Sequence, residues 1–358
     1  MKILFLVPYP LQEAPSQRFR FEQYFEILAS QGHSIKTQSF LPSHNWQLFF
    51  KTGNSLQKAL TLIRGFLKRV YALSIAPSYD FIFIHREVTP IGPPIFEWIL
   101  AKILRKRIIY DFDDAIWLTD RVQESPLLKI LKWRQKVKDI CRWSYKVSCG
   151  NEYLRGFALQ HNSNTIYDPT TIDCKNKHNP ALYESKKINE QVVIGWTGSH
   201  STLKYLHAIE PVLQKLENLF PFISFLIIAD QPPPLHLERL TFIKWNPQTE
   251  IADLLKMDIG IMPLPDDEWS KGKCGFKALQ YMALEIPSVV SPVGVNTMII
   301  NHETEGFLCR SNEEWLLALE KLIIDKDLRI KLGKAGRKKV IDHYSVSSNT
   351  SNFLSLFE

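Results

Sequence analysis

Cysteine is scarce in this chain of 358 residues. The five present (Cys141, Cys149, Cys174, Cys274 and Cys309) are odd in number and widely spaced. No CxxC and no Cys/His metal set occurs, which excludes a disulfide framework and a zinc site and points to reduced thiols in a cytoplasmic protein. Long hydrophobic runs are missing too. No apolar stretch reaches the ~18 residues that span a bilayer. The longest candidate, Ile91 to Leu104, is broken by Pro93, Pro94, Glu97 and Lys102. The opening MKILFLVPYP has one lysine and a short apolar run ended by proline, and reads as a buried strand, not a leader. There is no internal repeat and no low-complexity tract. The dinucleotide fingerprint GxGxxG is absent, which weakens any nicotinamide reading.

What is present is enough apolar material for two cores. The chain is 45% hydrophobic, and single cores seldom grow past about 250–300 residues. Charge is uneven. Residues 1–165 carry 23 Lys+Arg against 13 Asp+Glu, or +10, and residues 166–358 carry 21 against 24, or −3; together they give the net +7. A basic N-terminal half suits an anionic partner: a membrane surface, nucleic acid or a phosphorylated substrate. Nucleic acid is the weakest of these, because no recognition motif accompanies the charge.

The first half alternates strands and helices. Lys2–Val7, Ser34–Phe40, Asp80–His85, Arg107–Tyr110 and Lys146–Cys149 read as strands. A helix capped by Ser16 puts Phe21, Tyr24, Phe25 and Leu28 on one face. Another lies near Phe96–Leu104. The polar stretch 168–190 reads as a linker. The pattern then restarts, with strands Val192–Trp196, Phe222–Ala229, Leu240–Trp245, Asp258–Met262 and Ser288–Ser291 and helices between them. Alternation of this kind predicts parallel sheets with crossover helices. The expected domains are 1–167 and 191–344, both doubly wound α/β, with a tail 345–358 crossing back to the first. Such sheets bind ligands at the carboxyl ends of their strands, and two facing sheets make an interdomain cleft.

Four stretches carry chemistry. GKCGFKALQYMALEIPSVVSPVGVN, from Gly272, sets Lys273 and Lys277 four residues apart at a glycine-flanked helix start. Cations at the positive end of a helix are unfavourable unless an anion joins them. The pair is either an anion site or solvated surface charge. GWTGSHSTLKYL runs a buried strand into Gly198, Ser199 and His200 at a helix start, a turn suited to a phosphate oxygen or else a plain capped helix. APSQRFRFEQY places Arg18 and Arg20 in a first helical turn. YDFDDAIW sets Asp111, Asp113 and Asp114 directly after a buried strand. These acids either touch substrate hydroxyls, cap the next helix or bind a divalent cation. On a strand continuation Asp111 and Asp113 share a face, and Arg18 and Arg20 would hold Asp113 ionised.

Taken together, DIGIMPLPDDEW…GKCGFKALQYMALEIPSVVSPVGVN resembles the donor-binding region of family 4 glycosyltransferases, which have the GT-B fold. IGWTGSHSTLKYL resembles the phosphate turn opening their second domain. REVTP…IIYDFDDAIW resembles a first-domain segment of one branch. The resemblance covers nearly the whole chain. It implies two Rossmann-like domains facing a cleft and retaining sugar transfer from a nucleotide-sugar to a glycan or lipid-linked acceptor, with no cofactor and no obligatory metal. Polysaccharide or glycolipid assembly is the implied setting. Donor diphosphate is expected between Ser199–His200 and Lys273/Lys277, with the nucleotide toward Trp245, Glu250 and Gln280. Asp113, Lys273 and Lys277 are the expected catalytic groups, and Arg18, Arg20, Asp111 and Asp114 the acceptor-side ones. The family often carries two glutamates eight positions apart; here those positions are Gly272 and Gln280. That substitution favours a second reading, a GT-B protein that binds without turnover; a GT-B sugar-nucleotide epimerase is a third.

A last feature is LQKALTLIRGFLKRVYALSIA, Leu56–Ala76. Leu60, Ile63, Phe66, Leu67 and Tyr71 share a helical face edged by Lys58, Arg64, Lys68 and Arg69. It is either an interfacial helix on an anionic membrane, which would place the protein at the cytoplasmic membrane surface, or an amphipathic helix packed on its own domain.

Overall fold

The computed structural model describes residues 1–43, 53–119, 124–183 and 191–358. The last part of the expected linker, 184–190, lies outside the described residues. The chain divides into two compact units: Met1–Thr170 with Gly272–Cys274 and Asn349–Glu358, and Thr171–Lys271 with Gly275–Ser348.

The first unit contains strands β1 (Lys2–Val7), β2 (Ser34–Ser39), β3 (Phe81–His85), β4 (Arg107–Phe112), β5 (Lys146–Cys149) and β6 (Thr165–Tyr167). Its helices are α1 (Pro15–Arg18), α2 (Phe25–Ser30), α3 (Ser55–Ile75), α4 (Ile95–Trp98), α5 (Pro126–Lys132), α6 (Lys136–Trp143) and α7 (Glu152–Leu159). The sheet order is β2-β1-β3-β4-β5-β6, and every pairing is parallel. β1 and β3 are near-continuous apolar runs because helices cover both faces of such a sheet; every residue of Phe81–His85 is buried. Phe5, Phe21 and Phe83 pack ring to ring in this core.

The second unit has β7 (Val192–Thr197), β8 (Ile223–Ala229), β9 (Leu240–Lys244), β10 (Ile259–Met262), β11 (Ser288–Val290) and β12 (Gly306–Leu308). Its helices are α8 (His200–Leu203), α9 (Glu210–Leu219), α10 (Glu250–Leu254), α11 (Glu268–Lys271), α12 (Phe276–Ala283), α13 (Asn296–Ile299), α14 (Asn312–Ile324) and α15 (Lys326–Lys339). The order is β12-β11-β10-β7-β8-β9, again all parallel. In both sheets the strand order reverses beside the first strand, between β1 and β3 and between β7 and β10. Open sheets of this kind bind ligands at such a reversal. Of the 168–190 stretch, Asp168 belongs to the first unit, while Ile172 and His178 are buried in the second. The final helix α16 (Val346–Leu354) leads into Phe357. Phe353 stacks on Tyr24 at 4.2 Å and Phe357 meets Phe81 at 5.7 Å, so the chain end completes the first core.

One local expectation is corrected. The segment from Ser16 is not one helix. Pro15 starts a four-residue turn of helix, and a tight turn through Phe21 separates it from α2. Arg18 therefore sits in the last turn of α1 and Arg20 lies beyond it. Neither cation opposes a helix dipole.

Candidate functional site

The carboxyl edge of the first sheet holds an ion network. β3 and β4 are in register with His85 opposite Asp111. His85 Nδ1 lies 2.7 Å from Asp111 Oδ2. Arg20 Nη2 bonds Asp111 Oδ1, and Ser148 Oγ donates to that oxygen at 2.7 Å. Burial works against charge on Asp111, but Arg20 and His85 outweigh it and hold its carboxyl below the usual range. Asp168 lies 3.4 Å from the same Arg20 Nη2. Here burial prevails, helped by the neighbouring Asp111 charge, and the carboxyl is pushed up to about 6. Arg20 and Asp111 were expected on the acceptor side. Their side chains are each only 1% exposed, and the buried ion pair ties Arg20 to β4, while Arg20 Nε is buried with no hydrogen bond.

Asp113 and Asp114 follow the end of β4 and are more open. Arg86 pairs with both: Nε donates to Asp113 Oδ1 at 2.9 Å and Nη2 to Asp114 Oδ2 at 2.6 Å. Lys273 Nζ lies 2.9 Å from Asp114 Oδ1. Burial opposes charge on Asp114, yet Lys273 and Arg86 lower its carboxyl below the ordinary value. Arg18 and Arg20 together were expected beside Asp113. The cation that meets it is Arg86, and Arg20 is turned into the core onto Asp111 and Asp168. His85 Nε2 is buried without a hydrogen bond and stands 3.9 Å from Asp113 Oδ1. Asp114 does not serve as a helix cap; its oxygens go to cations. Among the described residues no group of three or more His, Cys, Asp or Glu has metal-holding geometry.

In the second unit, Tyr281 of α12 accepts from Thr197 N at 3.0 Å and so ties the helix to the end of β7. Lys277, one turn earlier, then lies against the turn after β7. Its amine is 5.4 Å from the Trp196 ring centroid. A Cβ on Gly198 would meet that ring at 2.5 Å and Lys277 Cε at 2.8 Å, so only glycine fits there. The helix enters through Gly275, whose φ of 66° suits glycine. Ser199 Oγ and Ser201 Oγ are 2.9 Å apart. His200 gives its backbone N–H to Asp230 at 2.6 Å and its ring to the same carboxylate at 2.5 Å. Part of the turn's donor capacity is thus taken by Asp230, at the end of β8.

Trp245, Glu250 and Gln280 are brought together. Trp245 Nε1 donates to Glu250 Oε1 at 3.2 Å, and Gln280 Nε2 lies 3.5 Å from that oxygen. Gln280 Nε2 is also 3.3 Å from His178 Nε2, and His178 Nδ1 is buried with no hydrogen bond. Lys273 and Lys277 are divided: the first groups with Asp114, the second with Gly198. Sequence reasoning missed His85, Arg86, His178 and Asp230. Arg86 and Asp230 each follow a buried run directly, which is the signal that could have found them.

Residues 235–339 match the family model described as Glycosyl transferases group 1. That segment includes Trp245, Glu250, Lys273, Lys277 and Gln280. Among solved structures, a glycosyltransferase from Rickettsia africae has a TM-score of 0.70 at 15% identity, over 99% of this chain and 97% of that one. Sucrose-phosphate synthase from Thermosynechococcus elongatus has 0.68 at 14%, over 100% and 98%. Anabaena HepE in complex with UDP and glucose has 0.66 at 15%, over 99% of each. At these identities the likeness is one of fold, the two-domain GT-B α/β fold. No curated protein matches the sequence.

Proposed function

We propose that this protein is a retaining, metal-independent glycosyltransferase of family 4, moving a sugar from a nucleoside-diphosphate donor to a glycan or lipid-linked acceptor. It needs no cofactor, and it works in polysaccharide or glycolipid assembly at the cytoplasmic membrane surface. The observation that carries the reading is Lys277 folded against the Gly198 turn at the end of β7. A cation beside a glycine turn at a sheet reversal is what a diphosphate leaving group requires. In this reading Gly198, Ser199 and Lys277 hold the diphosphate, with Lys273 and His200 adding to it. Trp245, Glu250 and Gln280 hold the nucleoside. Asp113 serves the sugar or acceptor hydroxyl. HepE, seen with UDP and glucose, supports the donor class.

A second reading, binding without turnover, is favoured by Gln280 and Gly272 standing where glutamates are common. One experiment addresses both. UDP, ADP, GDP and their sugars are screened for thermal stabilisation, then for sugar release with and without added acceptor. Lys277→Ala should weaken nucleotide binding roughly tenfold to a hundredfold, the loss of about 1.5–3 kcal/mol of charge-assisted contact. If no nucleotide stabilises the wild type, the donor assignment is wrong. Stabilisation without turnover selects the binding reading, and product formed without acceptor selects an epimerase.

A further inference from the structure

We propose that the outward face of α3, with the neighbouring α4 and α5, is a docking surface for an anionic lipid bilayer. The assignment rests on the membrane-contact part of the proposed function and does not depend on glycosyl transfer.

The carrying observation is that α3 is packed with its apolar side outward. The buried positions of this 21-residue helix are Thr61, Gly65, Arg69 and Ala72. They form one stripe at helical spacing, and it is small and polar. At Gly65 the Phe40 ring packs directly on the helix, where a Cβ would meet it at 2.5 Å. Arg69 is held by backbone carbonyls of Val88, Gln38 and Val7 at 2.7–2.8 Å. The large apolar side chains lie opposite. Leu60, Ile63, Leu67, Val70 and Tyr71 are 47–63% exposed. A helix covering a core shows the reverse arrangement. The alternative that this apolar face packs on its own domain is therefore set aside.

The neighbouring elements continue the pattern. Phe66 of α3 meets Phe96 of α4, with centroids 6.2 Å apart. Beside Phe96, Ile95 and Trp98 are exposed. Gly92 N donates to Leu131 O of α5 at 2.8 Å. On and just after α5, Leu127, Ile130, Leu131 and Trp133 are exposed.

Charge selects the occupant. No carboxylate occurs between Glu26 and Asp80, between Glu97 and Asp111, or between Glu124 and Asp139. α3 carries Lys58, Arg64 and Lys68, α5 carries Lys129 and Lys132, Lys102 follows α4, and the carboxylate of α4, Glu97, is buried. Apolar side chains with tryptophan and tyrosine, edged only by cations, match the interface of a bilayer bearing negative headgroups. A second copy of the chain is disfavoured, because two-fold pairing would set these basic edges against each other.

The test is flotation of the full chain with vesicles of phosphatidylcholine alone and of phosphatidylcholine mixed with phosphatidylglycerol. Binding to the mixed vesicles only, reversed by salt, is expected. The double variants Ile63→Glu/Leu67→Glu and Ile130→Glu/Trp133→Glu should each lose at least about tenfold in binding. Their melting temperatures should stay near wild type, since the replaced side chains are exposed. Wild type that binds neither vesicle overturns membrane contact altogether. Binding that both variants retain keeps membrane contact but overturns this surface. Concentration-dependent dimers that both variants dissolve would assign the face to a second copy, and salt-sensitive capture of an acidic protein with no vesicle binding would assign it to a protein partner.

Discussion

Arg86 grips Asp113 from the side, with Nε at 2.9 Å and Nη2 at 2.7 Å from the same carboxylate oxygen. It does so from a left-handed backbone, φ 60°, a conformation that costs a residue with a Cβ about 1–2 kcal/mol. Strain of this kind persists where the surroundings impose it, often at functional sites. Two substitutions separate the terms. Arg86→Ala leaves Asp113 and Asp114 without their shared cation and should cost roughly 2–4 kcal/mol by urea denaturation, below the fully buried figure because the cluster is partly open. Arg86→Gly loses the same ion pairs but relaxes the backbone, so it should be about 1 kcal/mol more stable than the alanine variant. Equal stabilities would mean that the left-handed conformation stores no strain.

A pH dependence follows from the Arg20 cluster. Asp168 is pushed up to about 6 from the ordinary 3.8, first by burial and then by Asp111. Its contribution to stability is complete below about 3.8 and is lost as pH rises through about 6. Asp111, held low, acts in the opposite sense: its contribution is present above the ordinary carboxylate value and is lost on acidification through its lowered one. Asp168→Asn removes the first effect alone. Relative to wild type, the variant should gain roughly 2–3 kcal/mol between about pH 4 and about pH 7. Denaturant titrations of both proteins across that range measure it. A constant difference would show that Asp168 is charged throughout.

Much of this arrangement is legible in the sequence. Both sheets are built from runs such as KILFLV and ISFLIIA, whose apolar continuity marks buried parallel strands. Three-residue edge strands such as Thr165–Tyr167 and Gly306–Leu308 were not read, because they are too short to show a period. The Lys277 turn was visible because glycine and lysine are themselves the signal. The roles within DFDD were not, since pairing is long-range. Arg20 reaches Asp111 across 91 positions of chain and Arg86 reaches Asp113 across 27. Alternation along a strand shows which face a carboxylate takes but not which cation meets it. The outward face of α3 shows the same limit. Its heptad-like pattern is plain, but only packing reveals which stripe is inside.

Asp113 is the acid of the cluster to test for chemistry. Its side chain is 13% exposed, against 1% for Asp111, and it is not shared with Lys273 as Asp114 is. In the proposed transfer, a carboxylate there would take the acceptor's proton, help worth roughly 10²–10⁴-fold. Asp113→Asn should cut turnover at least about tenfold while nucleotide-dependent thermal stabilisation is unchanged. A chelator should leave the wild-type rate unaffected. Activity abolished by chelator and restored by Mg²⁺ or Mn²⁺ would give the cluster to a metal. An unimpaired Asn variant would leave Asp113 only its ion pair with Arg86.

Gln280 has a neighbour that explains its lack of charge. Its amide lies 3.5 Å from Glu250 Oε1, in a pocket where both residues are buried, at 1% and 5% exposure. A glutamate at 280 would set two carboxylates in one site, and like charges so placed raise the pKa of the pair. Gln280→Glu should therefore cost roughly 1–4 kcal/mol near neutral pH. The sign of its pH dependence is fixed by the same argument. A carboxyl whose folded pKa is raised keeps its contribution at low pH and loses it on alkalinisation. The variant should approach wild type at about pH 5 and fall behind it by about pH 8, as read from urea midpoints. If its midpoint tracks wild type at both values, Glu250 is not the carboxylate that makes glutamine the favoured residue at 280. Adding UDP or ADP to the same titrations shows whether nucleotide relieves the cost. Relief would mean that a ribose hydroxyl separates the two carboxyl groups, as the proposed nucleoside site requires.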